Sequence, residues 1–201
     1  MEDNTLHETL RQIKTELRLS MNGPASTAMR ERGLVYKMNF GVEVPRLKAI
    51  SSNFPHTHEL AQALWKEDIR ECKILATMLQ PTDGFDEDIA DVWIEQVNNI
   101  ELVEQLTMNL FSKLSYAPSI AFKWIADERE YVQSCGFLLT ARLFAKGYEL
   151  NRRAVDEFLD QAAAAWNGDR YFPKKEARVA LMKFAEQSTI NEKKVSLILN
   201  I

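Results

Sequence analysis

The sequence is poor in the residues that build tight turns, because its 201 residues include only seven Gly and six Pro. All-β sandwiches and barrels need many such turns, so this composition argues against them. There are only two cysteines, Cys72 and Cys135, and they lie in apolar stretches without the spacing of a redox or metal motif. We therefore favour two buried free thiols over a disulfide.

Long apolar runs are also missing, since stretches such as 137–139 are far too short to cross a bilayer. The acidic, polar N-terminus does not have the pattern of a signal peptide. We expect a soluble, cytoplasmic protein without a membrane partner, and the sequence leaves its oligomeric state open.

The chain has no excess of positive charge, because 25 Lys and Arg stand against 29 Asp and Glu, giving a net charge of −4. This total does not predict a uniformly basic nucleic-acid-binding protein. The charge is uneven, however: +2 over 1–58, −9 over 59–130 and +3 over 131–201. Basic ends leave a polyanionic partner open, although the acidic middle would repel a duplex that ran the full length.

Apolar residues recur at helical spacing along most of the chain. The first segment, 5–21, places Leu6, Leu10 and Ile13 on one face. A short helix is expected after Ser26. Further helices are predicted over 46–52, 58–66, 69–80, 86–97, 100–114, 118–126, 129–146, 152–166, 174–187 and 192–200. No stretch has the two-residue alternation of a strand, so the pattern predicts an all-α fold of about 11–12 helices.

A short motif occurs three times, at 65–68, 124–127 and 166–169. In each copy a Trp closes one helix and an Asp is placed to cap the next one. This repetition predicts stacked helical hairpins, a HEAT-like α-solenoid that forms a single domain over 1–201, with residues 1–44 capping the repeats. The simpler alternative is that Trp and Asp end and begin these helices independently.

No phosphate-binding loop, zinc-protease motif or hydrolase motif is present. His56 and His58 form the only close histidine pair, and a surface helix start explains them better than a metal site. The acidic run over 83–91 lacks the spacing of a calcium loop. The sequence therefore predicts neither a metal nor a cofactor.

Residues 36–50, which read YKMNFGVEVPRLKAI, resemble the start of the AlkD-type DNA alkylation repair proteins. In that family an aromatic loop, a Gly-Val/Ile-x-x-Pro turn and a basic helix precede a HEAT-like solenoid. The resemblance extends over about 30–190. It implies a metal-independent glycosylase that releases cationic alkylated purines, using a carboxylate, aromatic rings and a basic groove.

The resemblance places the catalytic helix at 99–104. Glu104 falls on the position of the catalytic Asp and Glu101 on the other acid, while Asn99 and Ile100 stand where the family has two tryptophans. A plain alternative is that Glu101 and Glu104 are surface or capping residues of an ordinary helix.

Two further family positions are also changed. A backbone-gripping Arg is expected near Gln133–Ser134, and another Trp is expected near Val179. Weak or lost alkylpurine glycosylase activity is the expectation that follows.

Basic and aromatic residues at the two ends of the chain are the predicted DNA contacts: Tyr36, Lys37, Arg46, Lys48, Arg142, Lys174, Lys175, Arg178 and Lys183. The predicted function is that of a DNA alkylation repair-like protein that binds DNA along a concave helical-repeat surface. The alternative is a non-catalytic HEAT-like scaffold whose groove binds a protein or peptide partner.

Overall fold

The structure, a computed structural model, describes residues 3–200, with side chains from Thr5 onward. These residues form twelve α-helices and one 3-10 turn, and their only β pairing is an isolated parallel bridge between Met38 and Ile69. The all-α prediction is confirmed. The helices are α1 (Asp3–Leu19), α2 (Gly23–Glu31), α3 (Val44–Ser51), α4 (His58–Trp65), α5 (Arg70–Leu79), α6 (Glu87–Glu95), α7 (Ile100–Asn109), α8 (Ala117–Ile125), α9 (Glu130–Ala145), α10 (Arg152–Asn167), α11 (Tyr171–Ala185) and α12 (Thr189–Leu199).

The chain divides into two compact units, residues 1–86 and 87–201. No helix within residues 3–200 combines the length and the apolar character needed to span a bilayer. One solenoid domain over 1–201 with a cap at 1–44 stays a prediction.

The first unit contains α1 to α5. Helix α5 packs against both α3 and α4, and α1 packs against α4. Trp65 ends α4, as predicted, and its indole ring is buried in the first unit. Pro45 lies in the first turn of α3, where a missing backbone N–H costs nothing.

The second unit contains the helix pairs α8–α9 and α10–α11, with α9 also packed against α7 and α11. Three buried rings, Phe144, Phe158 and Phe184, meet at centroid distances of 5.1 to 5.5 Å in its core. Gly136 of α9 lies so close to α8 that a Cβ there would stand 2.5 Å from the backbone nitrogen of Ile125. The two helix backbones are therefore in direct contact.

The predicted aspartate caps are wrong. The residues at the caps of α5, α9 and α11 are Ile69, Arg129 and Arg170, and none of them makes a side-chain capping bond. Asp127 lies two residues before its cap, where its Oδ1 accepts the backbone N–H of Arg129 at 2.8 Å and its carboxylate pairs with the Arg129 guanidinium. An Asp this far from the first turn folds the connecting loop instead of the helix end.

The helix predicted over 100–114 is shorter in the structure. Helix α7 ends at Asn109, and a 3-10 turn covers Phe111–Lys113. Phe111 is completely buried and its ring lies 5.0 Å from that of Trp124. Packing of Phe111 against α8 is the tertiary contact that accompanies the break, and local helical periodicity does not reveal it.

Candidate nucleic-acid interface

Helix α7 carries both predicted acids, and its start is fixed by Asn99. The buried Asn99 side chain caps the helix, since its Oδ1 accepts the backbone N–H of Leu102 at 2.9 Å. Glu101 lies half-buried in the first turn, and Glu104 lies exposed one turn further along. The cap therefore stabilises the first turn of the helix that carries both acids.

Glu104 lies in an unusual electrostatic environment for a surface carboxylate. Although the residue as a whole is exposed, partial desolvation of its carboxyl group raises its pKa, and the neighbouring charges of Glu176 and Glu101 raise it further. The positive charges of Lys175 and Arg142 act in the opposite direction but do not cancel this effect. Glu101, Glu104, Arg142 and Lys175 are all predicted site residues, and Glu104 interacts electrostatically with the other three, which lie on α7, α9 and α11.

Lys175 is the cation that α11 contributes to this group. Its Nζ lies 3.2 Å from Oε1 of Glu176, whose side chain is almost completely buried. The pKa of Lys175 is raised, first by Glu176 and also by Glu104 and Tyr171. Lys175 is thus held in its charged form, chiefly by its ion pair with Glu176.

Three aromatic rings that were not predicted from the sequence form a cluster at the starts of α9 and α11. The Phe172 ring lies 5.7 Å from that of Tyr131 and 5.3 Å from that of Tyr171. Tyr171 is 69% exposed, which is unusual for a ring within an aromatic cluster. In the sequence, the only indication of this cluster is the aromatic pair at 171–172, which precedes Lys174 and Lys175 by a few residues.

Other predicted contacts in the second unit have local partners. Lys174 places its Nζ 5.2 Å from the centroid of the Trp166 ring. Lys183 forms an ion pair with Glu186 at 2.7 Å. Arg178 is exposed on α11.

In the first unit, the predicted contacts Tyr36 and Lys37 lie in the loop before α3, with Tyr36 half-buried and Lys37 exposed. Arg46 donates from Nε to the Ser20 hydroxyl at 3.1 Å and lies 3.6 Å from Glu16. Lys48 is exposed on α3. The structure brings these residues into one unit without assembling them around a single site.

A buried ion pair holds this loop in place. Glu71 is completely buried, and its two carboxylate oxygens accept the backbone N–H groups of Phe40 and Val42, each at 3.1 Å. Arg70, also buried, donates to Glu71 at 3.1 Å and to the Val42 carbonyl at 2.9 Å. Gly41 adopts φ +74°, and a Cβ there would come within 2.2 Å of the Asn22 carbonyl oxygen.

Comparison with models of protein families identifies the family of this chain. The profile described as "DNA alkylation repair enzyme" matches residues 13–190. The chain belongs to the DNA alkylation repair enzyme family. The resemblance carried by 36–50 is thereby confirmed.

Comparison with curated proteins gives no match. A solved structure matches with a TM-score of 0.83 and 18% identity over 94% of this chain and 81% of that chain. It is described as representing a family of proteins related to the HEAT-like repeat DNA glycosylases with affinity for branched DNA structures. The likeness confirms the HEAT-like fold of this DNA alkylation repair family member.

Against the family pattern, the structure explains two of the changed positions. Asn99 is committed to capping α7, as described above. The buried Gln133 donates to the Ile125 carbonyl at 2.9 Å and accepts a hydrogen bond from Arg170 at 2.7 Å. The arginine that contacts Gln133 is therefore Arg170, at the start of α11, whereas the family pattern predicts an arginine on α9.

Among the residues that the structure describes, no three His, Cys, Asp or Glu side chains are grouped as metal ligands. Both cysteines are free and buried, as predicted. Burial raises the pKa of each thiol to about 12, so neither is a nucleophile near neutral pH.

Proposed function

We propose that this member of the DNA alkylation repair family binds branched DNA through the surface formed by α7, α9 and α11, without efficient excision of alkylated bases. The observation that carries the proposal is that Tyr171 and Lys175 lie one turn apart on α11, with the Tyr171 ring 69% exposed and the Lys175 ammonium held by the buried Glu176. A cation beside an exposed ring is the combination that binds a phosphate and stacks an unpaired base.

Phosphate contacts in this proposal come from Arg142, Lys174, Lys175 and Arg178. They would fix the position of the backbone without reading the sequence. The ring of Tyr171, supported from the side by Phe172, would stack a base exposed at a branch point, where base pairing is interrupted. The branched-DNA affinity ascribed to the structurally similar protein supports this choice of substrate.

Loss of efficient base excision is proposed because the helix that matches the family's catalytic helix lacks its two tryptophans. Asn99 is used as a buried helix cap and Ile100 has no π-system, so neither can stabilise a cationic base. Glu104 keeps a carboxylate at the expected position, but a Glu side chain carries its charge one methylene further out than the Asp of the family, away from where a cationic sugar would need it.

The binding test uses fluorescence anisotropy with a four-way junction and a linear duplex of the same base composition, titrated over a salt series. We expect tighter binding of the junction and a log–log salt slope that falls by about one in Lys175→Ala. Arg153→Ala, an exposed arginine on α10, is the matched control and should leave binding unchanged. Absence of binding at low salt would contradict the proposal and favour the protein-scaffold alternative.

The catalytic half is tested separately with a duplex containing N7-methylguanine. We expect no release of the base above the uncatalysed rate, with wild-type protein or with Glu104→Gln. Release by the wild type that disappears in Glu104→Gln would overturn the non-catalytic part of the proposal while leaving the DNA-binding part intact.

A further inference from the structure

A cleft in the first unit is lined by basic side chains from three separate segments. Lys14 and Arg18 come from α1, Lys37 from the loop before α3, and Lys66 from the connection between α4 and α5. The cleft has a volume of about 480 Å³, which lies in the range of pockets that hold small organic ligands.

The charge in this cleft is only partly compensated. Two acidic residues, Glu67 and Asp68, also line it, so four basic groups face two acidic ones. Glu67 is occupied by Lys14, whose Nζ lies 2.6 Å from its Oε1. Over residues 3–200, Arg18, Lys37 and Lys66 form no ion pair, which leaves the cleft with a net attraction for an anion.

The remaining lining is apolar. Met38, Phe40 and Ile69 form one wall, with Met38 44% exposed and the other two nearly buried. Inorganic phosphate alone would make no favourable contact with this apolar lining. A ligand that joins a phosphate to a flat apolar group would contact both the basic and the apolar part of the cleft.

The walls are held rigidly by main-chain hydrogen bonds. Met38 donates its N–H to the Asp68 carbonyl at 3.2 Å, and its own carbonyl accepts the N–H of Arg70 at 3.1 Å. The buried carboxylate of Glu71 fixes the following residues of the same loop. A preformed cleft pays little conformational entropy when it binds a ligand.

We propose that this cleft binds a single nucleotide, with its phosphate between Arg18, Lys37 and Lys66 and its base against Met38. The inference goes beyond the proposed function, because the cleft lies within the first unit and needs neither a duplex nor the surface around Glu104. A free nucleotide and the phosphorylated end of a DNA strand share this chemistry.

Isothermal titration calorimetry at low ionic strength tests the proposal with deoxyadenosine monophosphate as the probe. We expect binding to the full-length protein that weakens about tenfold in Arg18→Ala and in Lys37→Ala, as for the loss of one charge-assisted hydrogen bond. Both side chains are exposed, so the variants retain the fold. Arg30→Ala, which alters an exposed arginine of α2 outside the cleft, is the matched control and should bind as the wild type does.

Separate titrations with deoxyadenosine and with inorganic phosphate test the two halves of the cleft. Each should bind more weakly than the nucleotide, and equal affinity for phosphate alone would overturn the assignment. A 5′-phosphorylated oligonucleotide that binds more tightly than the nucleotide identifies a strand end as the ligand, and weaker binding identifies the free nucleotide. No detectable nucleotide binding, or binding unchanged in Arg18→Ala and Lys37→Ala, would refute the proposal irrespective of junction binding.

Discussion

The carboxylate of Glu71 lies 3.1 Å from the backbone nitrogen of Phe40, although 31 residues separate them along the chain. Its other oxygen accepts the N–H of Val42, and Arg70 neutralises its charge. These three hydrogen-bond donors replace the water that would otherwise solvate the carboxylate. In return, the buried carboxylate fixes a loop that has no regular secondary structure.

Glu71→Gln should lower the free energy of unfolding by about 3–5 kcal/mol, the usual cost of breaking a buried ion pair. The amide has one oxygen for the two backbone N–H groups, and its own NH₂ would face a donor. Urea denaturation measures the change. The control Glu43→Gln alters an exposed residue that makes no capping bond, and its stability should stay within about 0.5 kcal/mol of the wild type. Equal effects of the two substitutions would refute this account of Glu71.

Gly136→Ala should destabilise the protein by about 1–3 kcal/mol, because overpacking forces backbone to move. The added Cβ would stand 2.5 Å from the nitrogen of Ile125 and 2.7 Å from the carbonyl carbon of Trp124. Thermal unfolding followed by circular dichroism measures the effect. Gly23→Ala places its Cβ in open space and serves as the control. A stable Gly136→Ala protein would show that α8 and α9 can separate without cost.

Native Cys72 and Cys135 should not react with a thiol reagent at mildly alkaline pH. Burial raises the pKa of both thiols to about 12, so very little thiolate is present and access is blocked. Two thiols per chain should react at once in denaturant, measured by absorbance. Rapid modification of one thiol in the native protein would contradict the burial of that residue.

Affinity for branched DNA should increase as the pH falls from about 7 to about 5, and this increase should be smaller in Glu104→Gln. The pKa of Glu104 is already raised, mainly by burial, and nearby phosphates would raise it further, so binding takes up a proton there. Anisotropy titrations at several pH values measure the difference. The same pH dependence in both proteins would place Glu104 away from the DNA.

The raised pKa of Glu104 should also affect the free energy of unfolding, which we expect to be higher at acidic than at neutral pH as far as this group contributes. Its folded pKa lies above its unfolded pKa, so its contribution favours folding at acidic pH and is lost as the pH rises through the folded value. Glu104→Gln should therefore unfold at neutral pH with a free energy equal to or slightly above that of the wild type. Marked destabilisation would indicate that the carboxylate makes a structural contact.

Helical periodicity predicted most of this fold, because the apolar face of each helix is repeated locally in the sequence. The end of α7 was not predicted, since the break accompanies contact of Phe111 with Trp124 on α8. The prediction of aspartate caps was wrong for a similar reason. Asp127 accepts a hydrogen bond from Arg129 within the connecting loop, and α9 begins only after Arg129.

For the candidate site, the resemblance indicated Glu104 and the basic residues of the chain's ends suggested Arg142 and Lys175, whose positive charges both lower the pKa of Glu104. The ring cluster around Phe172 was missed, because its members come from two helices that start 41 residues apart and follow no local period. The role of Glu71 was equally hidden, since a buried carboxylate that binds backbone N–H groups looks in sequence like any charged helix residue.

The hydrogen bonds from Phe40 and Val42 to Glu71 have a consequence for the motions of the first unit. Their amide hydrogens can exchange with solvent only when the carboxylate leaves its buried position, which requires opening of the structure around α5. These two loop residues should therefore retain their protons in D₂O for as long as the central turns of α5 do. Slow exchange in this segment would come from a side chain more than twenty residues away and not from a helix or a strand.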